Sequence, residues 1–250
     1  MKFTIKESDL SLPTTRLLLA IQSGDITDAK VMSKFAFSSD IGSTARRFIW
    51  DGLPPSIDKY NYPLDSSPGI VDILSSDAGD IGNRITISGL DADGYEAEEE
   101  VVINGINPVQ SEKSYSRIFR AYTSGDTDVA GTVSVYPNGL STEESLVITI
   151  NPDDQQSLFS GYTIPKGWTG YAIRERTSVG KGKETQVSFH IRLPGGVFRT
   201  QKIYVNFENI STGEVPFTKV PELTDIEARG IADVAGTTVS AEYDIILIKE

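Results

Sequence analysis

Alternating apolar and polar residues, broken by tight turn motifs, are the feature that most limits what this chain can fold into. Between Phe159 and Tyr171 a β-type run stops at the turn Pro165-Lys166-Gly167 and restarts on Trp168. A second tight reversal, from Pro194 to Phe198, separates two further alternating runs. Such motifs are typical of hairpins between antiparallel strands and contain no reactive groups. The pattern therefore predicts a β-scaffold that presents a surface.

The same pattern extends over most of the chain. Ile85 and Ile87 alternate with polar residues and are predicted to face inward, and Asn104-Gly105 is the strongest short hairpin motif. We predict an all-β protein of two β-sandwich or jelly-roll domains, residues 49–152 and 153–250, which follow an extended N-terminal arm, residues 1–48. The boundary between the two sandwiches is placed at the acidic, proline-containing break after Ile150.

Residues 1–48 differ from the rest because their apolar residues are too scattered to build a core alone. Lys2–Lys6 alternates as a short strand would, and Leu17–Ile21 is the longest apolar run, far too short to span a bilayer. We expect an extended segment that lies on its own body or on a neighbouring subunit. The alternative is an edge strand with loops of the first sandwich. Residues 48–68 are predicted to form a covering loop anchored by Trp50, since a large ring gains most from burial.

Composition excludes several classes of protein. The chain of 250 residues has 35 acidic and 23 basic residues, and its net charge of −12 repels phosphate backbones, so we expect no nucleic-acid partner. It has no cysteine, which excludes disulfides, thiolate metal sites and a cysteine nucleophile. The N-terminal residues are charged where a signal peptide needs an apolar stretch. We therefore expect synthesis in the cytoplasm and no membrane segment.

Candidate catalytic and metal-binding residues are few. His190 is the only histidine, and the alternation places it opposite the apolar strand face, at solvent or a subunit contact. A Ser-His-Asp triad and a histidine-rich zinc site are therefore not expected. Asp91–Glu96 resembles a calcium loop, but Tyr95 occupies a position where such a loop needs an oxygen ligand. A turn in which aspartate side chains bind their own backbone explains it equally well. We predict no enzyme activity, no cofactor and no metal.

Three glutamates, Glu96, Glu98 and Glu100, alternate on one strand and share one face. They predict a solvated acidic stripe that discourages edge-to-edge aggregation. The alternative is a surface that docks into a basic groove of a partner.

Several aromatic residues could form an interface or a ligand platform, because aromatic rings stack on sugars and dominate contact surfaces. For Trp168 and Tyr171, which flank a turn, packing in a core or interface is the favoured interpretation. The candidate platform residues are Trp50, Tyr162, Trp168, Tyr171 and Phe198.

The order of several motifs resembles virion structural proteins of tailed bacteriophages, of the marine-phage type, over residues 34–250. Each motif alone is a simple turn-and-strand pattern, and their succession carries the resemblance. The motifs are Trp50-Asp51-Gly52, Arg84–Asp91, Val102–Gly105, Arg117–Ala121, Tyr162–Gly167, Arg192–Phe198, Asp225–Glu227 and Val239–Leu247.

This resemblance implies a non-enzymatic β-rich component of a virion. The compact chain with an N-terminal segment suited to tethering favours a decoration or cement protein on the outside of the head shell. Its partners would be the major capsid protein or neighbouring virion proteins, and sister copies in a homotrimer or another homo-oligomer. The alternatives are a head–tail neck or tail-fibre component, a receptor- or carbohydrate-binding module of the virion, and a hydrolase of the β-sandwich type.

Overall fold

The structure is a computed structural model that describes residues 14–180, 183–207 and 211–250. Within these ranges one helix, α1 (Thr14–Gln22), and one 3-10 helix (Glu143–Ser145) occur, and all other regular elements are β-strands. The prediction of an all-β fold is confirmed. Over the same ranges no helix is long and apolar enough to cross a membrane. The predicted short strand Lys2–Lys6 lies outside the described residues.

The strands fall into three groups along the chain. The first group is β1 (Ala29–Ile41) and β2 (Arg47–Phe48). The second group is β3 (Val71–Ser75), β4 (Ile81–Leu90), β5 (Glu96–Asn104), β6 (Val109–Gln110), β7 (Arg117–Thr123), β8 (Val133–Pro137) and β9 (Ile148–Ile150). The third group is β10 (Tyr162–Thr163), β11 (Trp168–Val179), β12 (Glu184–Arg192), β13 (Arg199–Phe207), β14 (Ser211–Val220), β15 (Asp225–Ala232) and β16 (Thr237–Lys249).

The second group forms two antiparallel sheets, with the strand orders β6-β3-β8-β9 and β5-β4-β7. We call this part the first sandwich. Its core contains Ile73, Ile85 and Ile87, and the last two are fully buried as the alternation predicts. They point to the same side because successive side chains of a strand alternate between its two faces.

The first and third groups together form a second sandwich. Its sheets have the orders β1-β16-β11-β14 and β10-β15-β12-β13, and β2 pairs with β15 beside the second of these. The core between them contains Phe189, Tyr243 and Ile245. The rings of Phe189 and Tyr243 meet edge to face, with centroids 6.0 Å apart. Aromatic pairs in this geometry contribute beyond the area that they bury.

The described part of the segment predicted to be an extended arm is folded into the second sandwich. β1 pairs antiparallel with β16 along almost its whole length, and α1 buries Leu17 and Ile21 beside Ile246. The alternative, an edge strand, is closer to the structure, although the strand joins the second sandwich and not the first. Local patterning could not show this, because the partner strand lies at the other end of the chain. That the halves fold as separate domains, divided at residues 48 and 152, stays a prediction.

Three turn motifs predicted as hairpins differ in what they connect. The turn from Pro194 to Phe198 joins β12 and β13, which pair side by side, so this prediction is confirmed. Asn104-Gly105 and Pro165-Lys166-Gly167 instead link strands in different sheets, so the hairpin prediction is wrong there. Both turns still form, with Gly105 and Gly167 at φ of 57° and 79°, a region that favours glycine. A turn motif determines that the chain reverses, and long-range pairing determines which sheet it enters.

A close approach between two backbones positions the start of β7. The pairing of β4 with β7 shifts register between Ser88 and Gly89. A Cβ atom on Gly89 would lie 1.9 Å from the main-chain oxygen of Arg117. Glycine therefore allows the bulge at this point and places Arg117 at the junction between the two sandwiches.

Gly89→Ala is expected to lower the free energy of unfolding by roughly 1–3 kcal/mol, because the new methyl group forces a rigid backbone apart. Urea denaturation followed by circular dichroism measures the change. Gly69→Ala is the matched control, since nothing lies within 4 Å of its added Cβ. An equal loss in both variants would show that the bulge is not tightly packed.

Candidate functional site

The predicted covering loop, residues 48–68, places Trp50 in the core of the first sandwich and reaches the second. Trp50 anchors its start as predicted, because its ring is buried edge to face against Phe159 and Tyr60, with centroids 5.4 and 5.9 Å away. Further along, Tyr62 and Asp65 contact residues of the second sandwich. The loop therefore ties the two sandwiches together.

Four charged residues meet where the loop and the two sandwiches join, and we call them the junction cluster: Asp65 of the loop, Arg117 of β7, Arg192 of β12 and Asp225 of β15. Arg117 Nη2 donates to Asp65 Oδ1 at 2.7 Å, and Arg117 Nε donates to Asp225 Oδ1 at 3.0 Å. Arg192 Nε donates to Asp225 Oδ2 at 2.7 Å, and Arg192 Nη2 lies 2.9 Å from Asp65 Oδ2. Two cations and two anions are thus matched.

Asp225 is the most deeply placed member of this cluster. Its side chain is 4% exposed, and Oδ1 also accepts the hydroxyl of Thr163 at 2.6 Å. Asp65 lies at the rim, with 41% of its side chain exposed. Partial burial raises the pKa of Asp65, but hydrogen bonds and charge from Arg117 and Arg192 outweigh it, so the net pKa is below its usual value. Asp65 is therefore an anion that holds the two guanidinium groups.

Two aromatic rings cover the Arg192 guanidinium. Its Cζ lies 4.6 Å from the Tyr62 ring centroid and 4.9 Å from the Phe198 centroid. The two rings are stacked, with centroids 5.6 Å apart. Tyr62 has a φ of 50°, a region that costs a non-glycine residue about 1 kcal/mol or more. The ring contacts, and its hydroxyl donating to Glu227 Oε2 at 2.7 Å, hold it there.

His190 is buried, which corrects the prediction that it faces solvent or a subunit contact. Only 6% of it is exposed, and Ser188 on the same strand face is fully buried. Its Nε2 lies 2.9 Å from Ser188 Oγ, and its Nδ1 lies 3.4 Å from Thr200 Oγ1. Burial, with the charges of Arg229 and Arg46, lowers its pKa to about 4. The imidazole is therefore neutral at pH 7. In a Ser-His-Asp triad a carboxylate binds the second ring nitrogen, whereas here the Thr200 hydroxyl lies beside it.

A cleft of about 460 Å3 opens over the junction cluster. Its walls include Asp93 and Gly94 of the β4–β5 turn and Pro194 to Gly196 of the β12–β13 turn. The volume lies within the range of small-molecule pockets, which is about 300–1,000 Å3. The charged groups on its floor are already paired with one another, so they offer little to a ligand.

The candidate aromatic platform is dispersed. Trp50, Tyr162 and Tyr171 are buried, and each belongs to a different hydrophobic core cluster. Trp168 is half-buried beside the core of the second sandwich. Phe198 alone lies at the junction, as described above. These five side chains therefore do not come together as one surface.

The acidic motifs have structural partners. Asp91 Oδ1 accepts the main-chain N–H groups of Asp93 and Tyr95, both at 2.9 Å, which is the turn proposed as the alternative to a calcium loop. Glu100 pairs with Arg84 at 2.5 Å, so the glutamate stripe on β5 is partly neutralised. In the part of the chain that the structure describes, no group of three His, Cys, Asp or Glu side chains is placed to hold a metal ion.

Sequence reasoning missed the junction cluster. Asp65, Arg117, Arg192 and Asp225 are far apart along the chain, and their partners are set by strand pairing. A usable sign was present, because Arg192 directly follows the apolar Ile191 at the end of β12 and Asp225 directly precedes the apolar Ile226 at the start of β15. Charges in such places need a partner when they are buried.

No family model and no curated protein matches this chain. Among solved structures, that of infectious bursal disease virus Gx strain is 8% identical, covers 88% of this chain and 72% of that chain, and has a TM-score of 0.25. The crystal structure of the infectious bursal disease virus VP2 subviral particle is 9% identical, covers 89% of this chain and 72% of that chain, and has a TM-score of 0.23. Similarity at these TM-scores carries no argument about this chain.

Asp225→Asn is expected to lower the free energy of unfolding by about 3–5 kcal/mol, because it removes a buried carboxylate that two partly buried guanidinium groups share. Asp65→Asn is the matched variant, since the same two arginines contact a carboxylate that is 41% exposed. Its cost is expected to be below about 1 kcal/mol. Urea denaturation at neutral pH measures both. Equal effects would contradict the central place of Asp225.

Proposed function

We propose that this chain is a non-enzymatic structural protein of a bacteriophage virion, and specifically a decoration or cement protein on the outside of the head shell. The observation that carries the proposal is the matched junction cluster, which joins two sandwiches into one scaffold. Arginines that pair with aspartates in this way hold a fixed arrangement and are not free for a substrate. The succession of motifs over residues 34–250, which resembles virion proteins of tailed phages, supports the particle context.

The groups that an enzyme of this architecture would use are withdrawn from solvent. Ser188 is fully buried and His190 nearly so, and their hydrogen bond therefore lies where a substrate has no access. Catalytic groups must reach the reacting atoms directly or through one water molecule. These observations support a structural role over hydrolysis.

Self-association is part of the proposal. The β12–β13 hairpin exposes four large aliphatic side chains, each 45–70% accessible. These are Leu193, Val197, Ile203 and Val205. Exposed apolar groups that lie close together are typical of a surface that binds a partner. We propose that this apolar hairpin contacts sister copies in a homotrimer or another homo-oligomer. The major capsid protein or a neighbouring virion protein would then bind elsewhere on the assembled unit, and the net charge of −12 disfavours nucleic acid as a partner.

Location on the particle is tested by imaging intact virions of the phage that encodes this chain, with an antibody fragment bound to it. We expect regularly spaced label over the outside of the head. Label confined to the neck or tail would overturn decoration and favour the neck or tail-fibre alternative. Absence of the chain from purified virions would overturn the virion role itself.

A glycan array with the purified chain separates the receptor-binding alternative from a purely architectural role. We expect no selective binding to neutral sugars, because the aromatic residues proposed as a platform are dispersed. Selective, saturable binding to a neutral glycan would favour the carbohydrate-binding alternative.

Ile203→Asp combined with Val205→Asp is expected to convert the oligomer to a monomer at micromolar concentration, because it places charge in an apolar contact. Sedimentation velocity measures the mass of each form. Ile81→Asp is the matched control, since Ile81 is a similarly exposed aliphatic residue in the first sandwich. A monomeric parent chain, or equal dissociation by the control, would contradict the proposed contact.

A further inference from the structure

A second cleft, of about 240 Å3, lies on another side of the boundary between the two sandwiches, and we call it the lysine cleft. It is bounded by β1 and β16 of the second sandwich and by β4, β5 and β7 of the first. The lining residues that matter here are Lys30, Lys34, Ser88, Glu96, Arg120 and Tyr162. It is unrelated to the junction cluster, and none of the functions considered above makes use of it.

Lys34 is a nearly buried cation in this cleft. It is 7% exposed and shares the inward face of β1 with Met32 and Ala36. Its ammonium group donates to the main-chain oxygen of Phe119, and its Nζ lies 5.4 Å from the Phe159 ring centroid. Neither partner is an anion. Among the described residues, no carboxylate forms an ion pair with Lys34, although burying an unpaired ammonium group is costly.

A second cation, Arg120, further disfavours the charged form of Lys34. Arg120 lines the same cleft and has its Cζ 5.2 Å from the Tyr122 ring centroid, with no ion pair to a described carboxylate. Burial, and then the charge of Arg120, lower the pKa of Lys34 to about 7. Two cations that repel each other are therefore left unbalanced in a chain whose net charge is −12.

The third cation of the cleft, Lys30, is paired with a carboxylate of the chain itself. Lys30 forms an ion pair with Glu96 and lies over the Trp168 ring, with Nζ 4.4 Å from its centroid. This contact also covers the ring of Trp168, one of the five candidate platform residues. Because Lys30 is balanced within the chain, the excess positive charge of the cleft belongs to Lys34 and Arg120.

We propose that the lysine cleft is a binding site for a small carboxylate, with Lys34 and Arg120 as its charged donors. Charge-assisted hydrogen bonds from an ammonium and a guanidinium group are the strong contacts for such a ligand. The volume is below the range of drug-sized pockets and fits one small acidic group. Glu96 on the rim repels a dianion more strongly than a monoanion, which favours a carboxylate over a phosphate.

Two sources could supply this carboxylate: an acidic sugar, or the side chain of a neighbouring protein. Glucuronate represents the first source and N-acetylglutamate α-amide, which keeps only the side-chain carboxylate, the second, with inorganic phosphate at pH 8 and glucose as the dianionic and neutral comparisons. The site does not depend on where the protein lies on a particle. The result of the binding experiment is therefore independent of where imaging locates the protein.

The affinity is expected to depend on pH. A bound anion favours the charged form of Lys34 and raises its pKa, so binding takes up a proton. The other charged or titratable groups that face the cleft are Arg120, Lys30, Glu96 and Tyr162. Burial raises the pKa of Tyr162, which stays neutral throughout. Binding is therefore expected to weaken as the pH rises above about 7, by up to about tenfold per pH unit.

The same titration affects stability without any ligand. Lys34 has a pKa of about 7 in the folded chain, against 10.5 for an ordinary lysine side chain. Between these values the unfolded chain holds the proton and the folded chain does not, so this lysine makes the free energy of unfolding rise with pH. Below about pH 7 the lysine is charged in both the folded and the unfolded chain, so the cost of burying its charge lowers the free energy of unfolding by its full amount. Lys34→Met is expected to remove this slope.

Calorimetric titration at pH 6 and pH 8 tests the site. We expect glucuronate or N-acetylglutamate α-amide, or both, to bind more tightly at pH 6, and glucose not to bind. Lys34→Met is expected to weaken binding at least tenfold, and Arg120→Gln several-fold, because each loses a charged hydrogen bond. Lys59→Met, which removes an exposed lysine outside the cleft, is the control and is expected to change nothing.

Three results would overturn the proposal: no binding of either carboxylate, equal binding by the Lys34→Met variant, or tighter binding of phosphate than of both carboxylates. Because methionine suits the apolar surroundings of Lys34, this variant is expected to fold, and circular dichroism checks it. Arg120 is exposed, so its variant gives a second test that does not depend on refolding a buried position.

Discussion

The rest of this structure depends on one buried carboxylate, Asp225, held between two guanidinium groups. Arg117 comes from the first sandwich and Arg192 from the second, so their shared anion joins the two halves directly. A buried ion pair adds little net stability compared with apolar packing, but it tolerates only one arrangement of its partners. The cluster therefore acts mainly to specify how the two sandwiches meet.

The contacts around Asp225 account for local features that would be unfavourable without them. Gly89 allows the bulge that brings β7 to the junction, and Tyr62 keeps an unfavourable backbone angle where its ring covers Arg192. His190 lies on the same strand as Arg192, and burial with the charges of Arg229 and Arg46 keeps it neutral. Each local cost is thus offset by a contact that exists only when both sandwiches are in place.

The two clefts at the boundary differ in charge balance. Over the junction cluster, two arginines meet two aspartates, and the floor of the cleft is satisfied within the chain. In the lysine cleft, no carboxylate among the described residues forms an ion pair with Lys34 or Arg120. An architectural protein needs the first arrangement for rigidity. The second arrangement is the one that the proposed site for an external carboxylate requires.

Local sequence determined the strands, the inward positions of Ile85 and Ile87, the turn at Asp91 and the anchoring of Trp50, because alternation and turn chemistry act over a few residues. Only the tertiary structure decided that Pro165-Lys166-Gly167 passes the chain between sheets, that β1 lies beside β16, and that His190, Lys34 and Asp225 are buried. The physical reason is that burial and pairing depend on residues distant in sequence. A strand pattern shows which side chains share a face, but not what covers that face.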